Sequence, residues 1–203
     1  MTKLVYGFGT NDADYVVNPS GHGTEGRLCP FYSVWAGMLE RAYSAKCKVK
    51  NPTYLDVTVC EEWHRFSVFK AWMEQQDWEG KQLDKDILIV GNKVYGPETC
   101  CFVDKSVNSF LTDSKSSRGE WPIGVSYHKM HRKFQARCRN PSAGKSHTLG
   151  YYSTPSEAHL AWAKYKLELA KNLAKNLPMN IGNALIKRFE LIRQSAEDAL
   201  HGS

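Results

Sequence analysis

The chain has 203 residues, 42% of them hydrophobic, and a formal net charge of +6. That length fits one large domain or two small ones with a real core, and no apolar run approaches the ~18 residues of a membrane span. The opening MTKLVYGFGTND lacks the apolar stretch of a secretory signal, so a cytoplasmic chain is expected, its six cysteines reduced.

Residues 1–28 are rich in Gly, Asn, Asp and Ser and read as an irregular arm. A helical pattern begins at Phe31, with Val34, Trp35, Met38, Leu39 and Tyr43 recurring at intervals of three and four. Leu55–Val59 alternates as a short strand, and Trp63, Phe66, Phe69 and Trp72 return to helical spacing. The spacing of Cys29, Cys47, Cys60 and His64 matches no zinc-ligand pattern, so buried thiols are expected rather than structural zinc. Ile87–Val90 reads as an apolar strand before the Gly91-Asn92 turn signal; Cys101–Val103 reads as a further strand and Ser106–Leu111 as a short helix. Residues 112–120 are polar and read as a linker, dividing a domain at 29–111 from one at 121–176. A last amphipathic helix, 177–203, carries Ile181, Leu185, Phe189, Ile192 and Ala196 on one face.

The charge is concentrated. Between Trp121 and Thr154 stand Lys129, Arg132, Lys133, Arg137, Arg139 and Lys145, with three histidines interleaved and no acidic residue. Outside that window 21 basic residues face 21 acidic ones, so the whole net charge sits in 34 residues. A positive field of this kind is the footprint of a polyanion site, and nucleic acid is the commonest polyanion. The alternation Phe134, Ala136, Cys138 against Gln135, Arg137, Arg139 predicts a strand with one apolar and one guanidinium-rich face. His147–Tyr152 reads as a third strand. Thr154-Pro155-Ser156-Glu157 carries an N-cap, a first-turn proline and a capping-box glutamate, so a helix follows, with Ala158, Ala161, Trp162 and Tyr165 on the sheet side. Three strands backed by one helix form a compact reader of duplex DNA, in which arginine pairs with guanine and glutamine with adenine. Tyr127 and Tyr152 would alternatively stack the unpaired bases of RNA.

Gly124-Val125, Lys133-Phe134-x-Ala136, Leu149-Gly150-Tyr151 and the helix start Thr154-x-x-Glu157-Ala158 resemble the plant APETALA/ethylene-response-factor type of DNA-binding domain over residues 121–168. The resemblance implies contacts to double-stranded DNA from an outward face: Tyr127, His128, Lys133, Gln135, Arg137 and Arg139; Arg132 and Lys145, from the same basic window, are further DNA-binding candidates. Ser126 stands where an arginine is usual and Arg137 where an acid is usual, so sequence preference does not carry over.

Asp84-Lys85-Asp86 places two carboxylates at the mouth of a strand, either as a solvated turn or as ligands of a hard divalent cation. The run Trp63, Phe66, Phe69, Trp72, then LDKDIL, GNKVYGPETCCFV and Asn108, resembles a phage group of HNH-type endonucleases over residues 30–110. That resemblance implies a strand–strand–helix nuclease domain in an α+β chain of phage or homing-endonuclease type. It implies Asp84, Asp86 and Asn108 around Mg²⁺ or Mn²⁺, and Asp84, Lys85, Asn108 and His64 as catalytic candidates for phosphodiester hydrolysis. The pattern departs where it matters: Lys85 stands where a histidine is expected and Thr99 near the usual asparagine. A DNA-binding regulator with a degenerate nuclease domain is the alternative.

Overall fold

Pro30 opens helix α1 (Pro30–Tyr43), whose Trp35, Met38, Leu39 and Ala42 are buried at the spacing expected of one helix face. The computed structural model describes residues 3–19, 28–111, 120–140 and 144–201. These form an α+β chain that divides into two units, Met1–Asp104 and Lys105–Ser203. Among the described residues, no helix is long and apolar enough to cross a membrane.

In the first unit, Ser44 ends α1 and caps α2 (Ala45–Lys50) by accepting from the Cys47 amide. The aromatic run 63–72 is not one helix. A 3₁₀ turn (Glu61–His64) is separated from α3 (Phe66–Met73) by extended Arg65. The N-terminal segment causes the break: the Thr10 amide donates to the His64 carbonyl (2.8 Å) and the Phe66 amide to the Thr10 carbonyl (3.1 Å). Asp12 then caps α3, its carboxylate accepting from the amide (2.8 Å) and hydroxyl (2.7 Å) of Ser67. Residues 3–19 are thus part of the unit rather than a separate arm, and Val17 joins its core. Gly9 is required there, because a Cβ would lie 2.3 Å from Leu39 Cδ1 and 2.8 Å from the Trp35 ring. That core gathers Trp35, Trp63, Phe66, Phe69, Met73 and Tyr95, and the Trp35 indole donates to the Trp63 carbonyl at 2.7 Å.

Two small sheets complete the unit. β1 (Thr58–Val59) pairs parallel with β3 (Val94–Tyr95), and β2 (Gln82–Asp84) pairs antiparallel with β4 (Cys101–Val103), Asp84 opposite Cys101. The strand expected over Leu55–Val59 shrinks to its last two residues. The strand expected over Ile87–Val90 does not form: those residues are bends and turn, with Ile87 buried and Ile89 and Val90 exposed. Asp84 explains the loss, because its Oδ1 accepts from the Asp86 and Ile87 amides (2.7 Å each) that a ladder would need.

The second unit begins at α4 (Lys105–Leu111), whose Phe110 packs edge-on against Phe189 at 5.2 Å. α4 therefore clusters with the later residues, not with the expected 29–111 domain, and the expected linker lies almost wholly outside the described residues. β5 (Val125–His128), β6 (Lys133–Asn140) and β7 (Lys145–Tyr152) form an antiparallel sheet in that order. α5 (Pro155–Ala174) carries the full capping box of Thr154 and Glu157 and packs on the sheet; α6 (Met179–His201) packs on α5. Leu167 and Ala170 share one core with Leu185 and Phe189, so the terminal helix is integral to this unit. Trp162 lies directly on Gly124, whose φ is +80° and whose Cβ would sit 2.1 Å from the indole Cδ1.

Candidate nucleic-acid interface

Antiparallel partners point to the same side of a sheet, so the register sorts the basic window into two faces. Phe134, Ala136 and Cys138 face α5. Lys133, Gln135, Arg137 and Arg139 face away from it, joined by Ser126 and His128 from β5 and by Thr148 and Tyr151 from β7. A bulge between Ala136 and Arg137 leaves Leu149 unpaired and turns it toward the core, which keeps Thr148 and Tyr151 on the outer face. Lys133, Arg137 and Arg139 are exposed. Among the described residues, no carboxylate forms an ion pair with any of them.

Two expected contacts move. Tyr127 pairs with Phe134 and meets its ring at 5.4 Å, so it lies on the α5 side and not on the outward face. Tyr152 pairs with Phe134 from the other strand and shares that side, so neither tyrosine offers the basic face a stacking surface. Lys145 is exposed but pairs with Asn140, which continues the α5-side row at the end of the sheet. Arg132 sits exposed in the β5–β6 turn with φ +49°.

His128 keeps the expected outward side, but as part of a cluster absent from the sequence reading. Its ring stacks on His131 at 4.6 Å, and His131 meets Tyr151 at 4.4 Å. Tyr151 lies opposite Gln135, and the Gln135 amide nitrogen donates to the Tyr151 hydroxyl (3.1 Å) and to Thr148 Oγ1 (3.3 Å). The signal was present, since a strand pairing 135 with 151 brings these residues together, but register is invisible in a single strand's alternation.

In the first unit the structure builds a turn from the hydrolytic candidates. Asp84 is buried, with one oxygen holding two amides; burial raises its carboxyl above the usual range, and those amide bonds oppose the shift. The buried Lys85 amine donates to Asp86 Oδ1 (2.7 Å) and to the Asn92 carbonyl (3.2 Å). The Asn92 amide in turn donates to the Lys85 and Val94 carbonyls, tying the loop shut. His64 bonds the Tyr43 hydroxyl at 2.9 Å, and the Tyr43 ring stacks on Phe8 at 3.9 Å. Asn108 belongs to α4 of the second unit. Asp86 is matched by an ammonium and Asp84 by backbone amides, so this arrangement does not fit a Mg²⁺ or Mn²⁺ cradle. Among the described residues, no group of three or more His, Cys, Asp or Glu side chains is placed to hold a metal. All six cysteines are unpaired, and burial pushes the Cys100 and Cys101 thiols up to about 12, as for neutral buried thiols.

Comparison with protein-family models, with curated proteins and with solved structures returns no match.

Proposed function

We propose that this protein binds double-stranded DNA through the outer face of β5–β7 and acts by occupying it. One observation carries the reading: Lys133, Arg137 and Arg139 stand exposed on a single sheet face, within a 34-residue window that contains no carboxylate. A small antiparallel sheet fits the major groove, where arginine pairs with guanine O6 and N7. Lys129, Arg132 and Lys145 around the rim would hold phosphates and fix register. The Asp84–Lys85–Asp86 turn is read as scaffold, which favours a DNA-binding regulator over a nuclease. A cytoplasmic site of action belongs to the same proposal.

The test is a gel shift of the full chain on duplex DNA, beside a variant carrying Lys133→Glu, Arg137→Glu and Arg139→Glu. Wild type should shift the duplex, and the variant, with unchanged circular dichroism, should not. Equal shifting by both would overturn the assignment of this face.

A further inference from the structure

The outer face carries one polar side chain whose orientation is already spent on the protein. Gln135 lies between Lys133 and Arg137 in the outward row, half-buried where they are exposed. Its amide nitrogen donates to Thr148 Oγ1 and to the Tyr151 hydroxyl. An amide nitrogen has two hydrogens, so both donors are engaged and only the Oε1 acceptor remains open. The tyrosine that receives one of them is itself confined: His131 lies 4.4 Å and His128 5.2 Å from its ring. The two histidines are braced in turn, the His131 amide donating to His128 Nδ1 at 3.3 Å. His128, His131, Thr148 and Tyr151 thus hold the Gln135 amide by its nitrogen, and Oε1 is the amide atom those two bonds leave unused.

We infer that Gln135 is a specificity-determining reader for a base that presents an exocyclic amine in the major groove, cytosine N4 or adenine N6. The inference rests on the duplex-binding reading above. A free glutamine reads adenine with both ends of its amide; one held by its nitrogen offers only the acceptor, so cytosine becomes as good a partner as adenine. Guanine and thymine present acceptors at the corresponding positions, and their oxygens would face Oε1 without a proton between them. Alternate strand residues advance about 6.7 Å, close to the rise of two base pairs at about 3.4 Å each. The amine-bearing base is therefore placed about two pairs from the guanine read by Arg137. Thr148 and Tyr151 are positioning residues in this scheme.

The experiment is selection and sequencing of bound duplexes from a randomised pool, using the full chain as wild type, Gln135→Ala, and the double variant Thr148→Val, Tyr151→Phe. Wild type should enrich cytosine or adenine over guanine and thymine by about fivefold at one position, as expected for one hydrogen bond. Gln135→Ala should flatten that position alone. The double variant removes both acceptors and frees the amide nitrogen, so guanine should be readmitted there while overall affinity is kept. A motif indifferent to Gln135→Ala, or a Gln135-dependent position that selects guanine in wild type, overturns the inference and leaves duplex binding intact. Failure to enrich any duplex, with no retention of the pool, overturns the duplex-binding reading and this inference with it.

Discussion

Replacing Lys166 with methionine should make the protein more stable at neutral pH. Lys166 lies on α5 within the core of the second unit. Its amine sits 3.5 Å from the ring centre of Phe110 and 5.6 Å from that of Phe189, and no carboxylate pairs with it among the described residues. Burial pulls its pKa down from 10.5 to about 8, against an opposing influence from Cys138. At 1.36 kcal/mol per unit, holding the charged form at pH 7 costs about 3 kcal/mol. Methionine keeps the length and helix propensity without the charge, so a net gain of up to about 3 kcal/mol is expected. The sign with pH is fixed. Below pH 8 the amine is protonated both folded and unfolded, and the full cost applies. Between pH 8 and 10.5 the folded amine loses its proton first, so wild-type stability rises with pH; above 10.5 the cost is gone. Urea unfolding of both proteins from pH 7 to 10.5 should therefore show the variant's advantage shrinking as pH rises. A variant less stable at pH 7, or an advantage constant across that range, would mean that the buried Lys166 charge does not set this stability.

Asp84→Asn retains the Oδ1 acceptor for the Asp86 and Ile87 amides and removes a carboxylate that burial disfavours. Its stability at pH 7 should stay within about 1 kcal/mol of wild type, and a plasmid incubated with Mg²⁺ should remain as intact as with wild type. Metal-dependent nicking by wild type that this variant lacks would put the turn in an active site after all. Gly124→Ala forces a Cβ to 2.1 Å from the Trp162 ring at φ +80°, so left-handed strain and overpacking together should cost about 2–4 kcal/mol, read as a lower melting temperature. An unchanged melting temperature would mean that the Trp162–Gly124 contact does not hold the helix to the sheet.

The second unit was the more legible in the sequence. Its central strand alternates from Phe134 to Arg139, and the Thr154–Glu157 capping box marks the start of α5 to the residue. The first unit resisted because its elements are short and its structure comes from distant partners. Arg65 interrupts the aromatic helix because Thr10, 55 residues earlier, bridges to it. Ile87–Val90 has strand composition but no strand beside it, and Asp84 has taken the amides. The candidate site divides in the same way. The outward side of Arg137 and Arg139 follows from period two alone, whereas Lys133 enters through the APETALA-type resemblance. Tyr127 was misplaced because the face it occupies depends on its pairing with Phe134. The clamp on Gln135 was missed because Thr148 and Tyr151 reach it only through the β6–β7 register and its bulge.

The salt dependence of duplex affinity reports whether the basic face binds phosphate. Fluorescence anisotropy of a labelled duplex, titrated between 50 and 300 mM NaCl, should give a slope of log K against log[salt] of about −4.5 if five phosphates are neutralised. With Lys129→Ala and Arg132→Ala together, the rim cations assigned to phosphates, that slope should become shallower by about 1.8. An affinity independent of salt, or a slope unmoved by losing both rim cations, would contradict DNA binding by this face.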